Sequence, residues 1–525
     1  MFTKTFSASP RGISAHIIGV EVDASAGVPG FGIVGLPDKS TTEAKERISV
    51  AMRSSNFELQ PTRILVNLSP ARVRKEGAHL DLAIAIALMV NFGYVEVEPK
   101  FLEKFCLLGE LSLIGEIKSV TGALALAIEA DNHKIKYLIV SPANSAEASL
   151  ITLLKNKQIE VFQATSLLEV KELIEELYQR EAQSKTLVQS KIPKCSIKAV
   201  DKKQIKFKHS SSLDLSDVVG QEHAKRGLEI AAAGSHHLLM IGPPGCGKSM
   251  LAKRFISLIP ELSFEKALET TKIYSVAGLV KTEISFDPPL RAPHHSASAT
   301  ALIGGGLPIR PGEVSLAHNG VLFLDELTEF GKFTIEQLRQ VLENKEITLN
   351  RIHQSITYPA DFIMIAACNP CPCGHLGDRS KQCQCSPQQI KNYLGKLSGP
   401  LLDRIDIHIE MSRLDSAEIK TLSQKYTTQV KSEPKAESQS NSVKARILLA
   451  QKFSASESLG YKLDKDALEL LDSSVLNLKL SARAHQKIVR IARTIANLAQ
   501  SPIILAEHLA EALQFRSVNW DSFGG

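Results

Sequence analysis

Residues 236–249 read HHLLMIGPPGCGKS, and the fold turns on how this stretch is read. An apolar run leads straight into Gly242-x-x-x-x-Gly247-Lys248-Ser249, the spacing of a phosphate-binding loop set between a strand and a helix. Gly242, Gly245 and Gly247, with Pro243, Pro244 and Cys246 between them, let backbone N–H groups close around phosphate oxygens. Lys248 then reaches the β- and γ-phosphates and Ser249 ligates magnesium. The pattern predicts an α/β domain that binds ATP with Mg2+.

Such a loop needs an acidic partner at the end of a neighbouring strand. Val321-Leu-Phe-Leu is followed by Asp325 and Glu326, an odd ending for a strand unless the two carboxylates have work to do. Asp325 is expected to hold magnesium through water, and Glu326 to orient and deprotonate an attacking water. A further apolar run from Phe362 ends at Asn369, which can hydrogen-bond the γ-phosphate or that water.

Length and composition widen the picture. At 525 residues the chain is expected to hold about three domains. Its 44% hydrophobic and 22% charged content is that of ordinary globular material. The first twenty residues lack a signal-peptide core and no run of about 18 apolar residues follows, so the expectation is a soluble, cytoplasmic protein without a membrane partner. The net charge of +6 hints at nucleic acid, but nine Lys/Arg against Glu181 and Asp201 fall between Tyr178 and Ser212. That Ser- and Lys-rich segment reads as a linker, with a DNA-tethering arm as the sharper alternative. A second polar stretch, residues 427–442, marks another boundary or a loop.

Four of the eight cysteines crowd into residues 369–387, NPCPCGHLGDRSKQCQCSP. In a reducing compartment Cys371, Cys373, Cys383 and Cys385 are expected to hold a structural Zn2+, because this Gly- and Pro-rich segment cannot build a core of its own. Free or redox-active thiols and the absence of any role are the alternatives, and His375 is an alternative ligand. Two further segments read as insertions. Residues 291–320 carry the Gly, Pro and Ser content of a loop or hairpin. Residues 346–362 read as a hairpin with its tip near Asn350 to Gln354, after helical spacing from Thr334 to Glu346.

These residues, with Leu401-Leu-Asp-Arg404-Ile-Asp and Leu480-Ser-Ala-Arg483-Ala, resemble the AAA+ ATPases of the magnesium-chelatase and MCM helicase branch. The resemblance implies that Asn369 is sensor 1, that Arg404 is an arginine finger completing a neighbour's site, and that Arg483 is the sensor 2 arginine. By themselves both arginines would be surface ion-pair candidates. A finger acting in trans requires an oligomer, and the resemblance implies a homo-hexameric ring with such insertions projecting into its pore, which would make Arg351 and His353 candidate DNA-phosphate contacts.

In the first 170 residues, RKEGAHLDLAIA (74–85) and GELSLIGEIKSVTGALALAIEA (109–130) resemble the proteolytic domain of Lon proteases. That chemistry needs a Ser nucleophile and a Lys base. Here the Ser position holds His79, and the Lys position Leu126, with Leu124 two residues earlier, so the scaffold is expected to lack peptidase activity. The expected layout is an inactive Lon-like α+β domain (1–175), a basic linker (176–212), an AAA+ core (213–412) and a C-terminal helical lid (413–525). In that order the motifs resemble the ComM/YifB family. The family implies a hexameric helicase driving branch migration on single-stranded and branched DNA in natural transformation, beside other recombination proteins. The rivals are a magnesium-chelatase motor subunit, which would hand strain to a porphyrin-binding partner, and an ATP-dependent protease.

Overall fold

The computed structural model describes residues 2–73, 75, 77–154, 158–182, 213–279, 284–306, 309–351, 354–378, 381–413, 438–456, 460–477 and 481–516. The chain is mixed α/β and divides into two compact units, one of residues 1–206 with 268–285, the other of 207–267 with 286–525. Most of the expected linker, from residue 183 on, lies outside the described residues, as do residues 414–437. Residues 176–182, expected to open that linker, instead close the helix Leu167–Ala182, because Val170, Leu173, Ile174 and Leu177 fall on one buried face.

The first unit is built on a seven-stranded sheet in the order Gly30–Val34, Arg63–Ser69, Ser14–Ser25, Phe2–Arg11, Phe105–Leu107, Tyr137–Val140, Glu160–Gln163. Phe2–Arg11 and Ser14–Ser25 pair as a hairpin closing at Arg11↔Ser14, with Gly12 at φ 60 in the turn. The helix Asp81–Asn91 is buried on every side from Asp81 to Val90. His79, just before it, is buried, its Nε2 without a hydrogen-bond partner, and burial pushes its pKa down to about 4. Leu124 and Leu126 are fully buried in the helix Ala123–Asn132. The positions at which a Ser–Lys dyad would fall thus hold a buried imidazole and a buried alkyl side chain.

The second unit carries a five-stranded sheet, all of its pairings parallel, in the order Leu290–Arg291, Val321–Leu324, Ile363–Cys368, Leu238–Ile241, Ile407–Glu410. Continuous apolar runs such as LLMI and VLFL form strands covered on both faces, which is where parallel sheets are stable. The C-terminal helices Gln439–Ser456, Lys465–Asn477, Ala482–Leu498 and Ala506–Gln514 share one core with the sheet: Ile447, Leu471, Ile488, Ile495 and Leu509 belong to the same buried cluster as Met240, Phe323 and Ile365. The helix expected over Thr334–Glu346 runs Lys332–Asn344; Lys345 turns left-handed at φ 58, its N–H closing on the Val341 carbonyl, and Glu346 already starts a strand. That strand, Glu346–Arg351, pairs antiparallel with Gln354–Pro359, so the expected hairpin is present. Among the described residues no helix is long and apolar enough to cross a membrane.

Candidate nucleotide site, arginine pair and cysteine cluster

Three neighbouring parallel strands deliver the polar residues. Leu238–Ile241 runs into the glycine-rich loop, Val321–Leu324 into Asp325 and Glu326, and Ile363–Cys368 into Asn369. All therefore emerge at the carboxyl edge of the sheet, where ligands of open α/β sheets bind. Gly242 has no room for a side chain, since a Cβ there would lie 2.4 Å from the Met411 carbonyl oxygen. Gly247, at φ 98, sets the left-handed turn from which the helix Lys248–Phe255 starts.

Lys248 is 8% exposed, and its Nζ donates to the carbonyl oxygens of Gly242 (2.5 Å) and Pro243 (3.0 Å) and to Asn369 Oδ1 (3.2 Å). Ser249 Oγ donates to Asp325 Oδ2 at 2.6 Å. A hydroxyl and a carboxylate meeting at the start of a phosphate loop give the oxygen donors a hard cation such as Mg2+ requires, beside a cation and loop amides for phosphate. The residues fit MgATP. Glu326 adopts φ 51, its own N–H donating to Asp325 Oδ1 at 3.0 Å, and its carboxylate is half exposed. His295 Nδ1 lies 3.2 Å from Glu326 Oε2. Sequence reading missed His295; its signal was the pair His294-His295 after a two-residue strand, Leu290–Arg291, that adjoins Val321–Leu324.

The two arginines are brought together, and away from this loop. Arg404 precedes the strand Ile407–Glu410, so it sits at the amino edge of the sheet, opposite the glycine-rich loop. Its Nη2 pairs with Glu343 and its Nη1 donates to the Pro400 carbonyl at 2.7 Å. Arg483, in the first turn of Ala482–Leu498, approaches the same Glu343 at 3.8 Å. Glu343, Arg404, Asp406, Arg483 and Lys487 line one cavity of about 620 Å³. Asp406, almost fully buried, pairs with Lys487 Nζ at 2.7 Å.

The four clustered cysteines converge, all four sulfurs lying within 4.8 Å of one another. Sγ separations are 3.4 Å for Cys371–Cys373, 3.7 Å for Cys371–Cys383 and 3.6 Å for Cys373–Cys383. Four thiolates on one tetrahedral zinc, with Zn–S near 2.3 Å, stand about 3.8 Å apart, so the arrangement fits the metal. Backbone N–H groups of His375 and Gln384 pull the Cys373 thiol down to about 6, while desolvation and the neighbouring sulfurs raise Cys383 and Cys385. His375 does not join the cluster; its Nδ1 lies 3.0 Å from Asp378, whose carboxylate is fully buried. Gly374, at φ 79, packs on the phosphate loop so closely that a Cβ would lie 2.8 Å from Pro244 Cδ. Of the two candidate DNA contacts, Arg351 ends its strand and His353 lies outside the described residues.

Family models match most of the chain. Residues 214–419 match the model for magnesium chelatase, subunit ChlI, residues 20–144 that for subunit ChlI of Mg-chelatase, and residues 437–516 that for the ChlI C-terminal region. The competence protein ComM of Haemophilus influenzae is 39% identical over 520 residues, 98% of this chain and 97% of its own. YifB of Escherichia coli is 39% identical over 523 residues, 97% and 96% of the two chains. Lon protease 2 of Bacillus subtilis is similar over a shorter stretch, 28% identical across 185 residues and 30% of this chain. Near-complete coverage at this identity, on a sheet that gathers phosphate loop, acidic pair and Asn369 at one edge, places the chain in the ComM/YifB family of magnesium-chelatase-like AAA+ proteins.

Proposed function

We propose that this protein is a ring-forming ATPase that converts ATP hydrolysis into movement along DNA, promoting branch migration during uptake and recombination of incoming strands. The observation that carries the reading is the division of the site: phosphate loop, Asp325, Glu326 and Asn369 stand at one edge of the sheet, and Arg404 with Arg483 at the other. A complete site then needs two subunits, with both arginines acting in trans, and a closed ring gives every site its arginines. MgATP is held by the loop amides, Lys248, Ser249 and Asp325; when bound, the metal neutralises charge developing on the phosphates. Glu326 takes the proton of the attacking water, Asn369 orients it, and the guanidiniums stabilise the transition state.

The DNA substrate rests on the likeness to ComM, whose name marks it as a competence protein. The hairpin Glu346–Pro359 is the element we assign to contact DNA, through Arg351 and His353. The N-terminal unit is read as a Lon-like scaffold without peptidase activity. The ChlI family models favour a second reading, a chelatase-type motor acting on a protein partner. The variant Glu326→Gln distinguishes them. It should bind ATP, turn it over at least about 10²-fold more slowly because the amide accepts no proton, and hold a ring on DNA. Rings of this variant that form with ATP but retain no DNA in a filter-binding assay favour the chelatase reading.

The cysteine cluster is assigned a structural Zn2+ that braces the segment between Asn369 and Arg404. About one zinc per chain is expected by elemental analysis of protein purified without chelators. It should be lost from the double variant Cys371→Ser, Cys373→Ser. Metal-free wild-type protein with full ATPase activity contradicts the assignment.

A further inference from the structure

Glu343 stands where an anion is least welcome. It occupies the last turn of the helix Lys332–Asn344, a turn with no basic residue, and the helix macrodipole disfavours negative charge there. Residues that break a local rule mark functional positions more often than others. Arg339, one turn earlier on the same helix, compensates in part, and the larger share comes from afar. Arg404, only 10% exposed, pairs with the Glu343 carboxylate, Arg483 approaches it at 3.8 Å, and the Arg404 guanidinium holds the carboxyl below its usual range. Behind the arginines, the 2.7 Å pair of Asp406 with Lys487 ties the residue two after Arg404 to the residue one helical turn after Arg483. Arg404 Nε is buried without a hydrogen-bond partner, so the guanidinium has donor capacity that Glu343 does not use.

Two guanidiniums, Arg404 nearly buried and Arg483 more than half exposed, that converge on the two oxygens of one carboxylate form a receptor for an oxyanion, carboxylate or phosphate alike. The helix bearing Glu343 also begins six residues after Glu326 and spans about 20 Å at 1.5 Å per residue, linking a subunit's own acidic pair to its arginines. We propose that Glu343 is a latch: its carboxylate holds Arg404 and Arg483 in the place that the neighbouring subunit's γ-phosphate takes, and must release them before they act. The inference rests on the reading of both arginines as acting in trans. Because Glu343 is half exposed, the latch is weak, and removing it changes rates several-fold rather than by orders of magnitude.

The test uses Glu343→Gln, which removes the charge, keeps the size and suits a half-exposed helix end, so folding is retained. At low salt, kcat for ATP should rise about two- to fivefold with KM within twofold. The gain should shrink at high salt, where the wild-type ion pair is screened. The decisive comparison mixes wild-type subunits with excess hydrolysis-dead Lys248→Ala subunits, with and without Glu343→Gln in the dead partner. Donors carrying Glu343→Gln should speed the wild-type sites by the same factor. Equal rates with both donors, or a fall in kcat for the single variant, overturn the latch. If Lys248→Ala subunits fail to rescue Arg404→Ala subunits in the same mixtures, the trans reading fails instead, so the two failures are separable.

Discussion

Arg404→Ala should bind ATP as the wild type does and lose about 10³- to 10⁵-fold in turnover, the range an arginine finger contributes. The guanidinium is planar and permanently charged, which suits it to stabilise negative charge developing on γ-phosphate oxygens in the transition state. In this chain it lies at the amino edge of the parallel sheet, while Lys248 and Asp325 stand at the carboxyl edge. Its deletion should therefore leave its own subunit's nucleotide contacts intact and disable the neighbour's chemistry. Mixing Arg404→Ala with Lys248→Ala protein should restore part of the activity, because some interfaces then join an intact loop to an intact arginine. Steady-state turnover across mixing ratios checks this. Exchange of subunits without recovery at any ratio rules out action in trans.

Lys248→Ala should reduce turnover by at least about 10²- to 10³-fold, the cost of removing one well-placed donor from a site of developing charge, and weaken ATP binding as well. The ammonium is nearly buried and bridges the Gly242 and Pro243 carbonyls and Asn369 Oδ1. Without it, the phosphates lose their mobile cation and Asn369 loses its side-chain contact with the loop. Titration with a fluorescent ATP analogue and a phosphate-release assay measure the two effects. Wild-type turnover in a variant that folds normally, judged by circular dichroism, contradicts the assignment of the phosphate loop.

What could be read from the sequence was local. An apolar run ending in Gly242, in Asp325 or in Asn369 states both the strand and the chemistry at its end, and the sheet places all three at one edge. The hairpin around Arg351 was legible for the same reason, since neighbours in sequence carry the information. The relation of Glu343 to Arg404 and Arg483 was not legible, because it joins residues 61 and 140 positions apart in the chain. His295 escaped because it lies in a turn, and the strand before it is two residues long and shows no periodicity. The cysteine spacing foretold convergence of the sulfurs, but not that Gly374 would press on Pro244 of the phosphate loop. His375, an alternative ligand by spacing alone, is taken by Asp378. The helix Leu167–Ala182 runs past the domain boundary expected at residue 175 because its apolar face continues to Leu177.

The central claim is that DNA is what this ATPase acts on, and the rate of ATP hydrolysis by the wild-type protein tests it most directly. It should be measured at one fixed salt concentration without DNA, with single-stranded DNA and with a branched joint, because phosphate contacts make binding strongly salt-dependent. The account predicts that both DNAs stimulate hydrolysis and that the branched joint, incubated with ATP, is resolved into migrated products. Identical rates in all three conditions would contradict it and leave the chelatase-type motor as the better description.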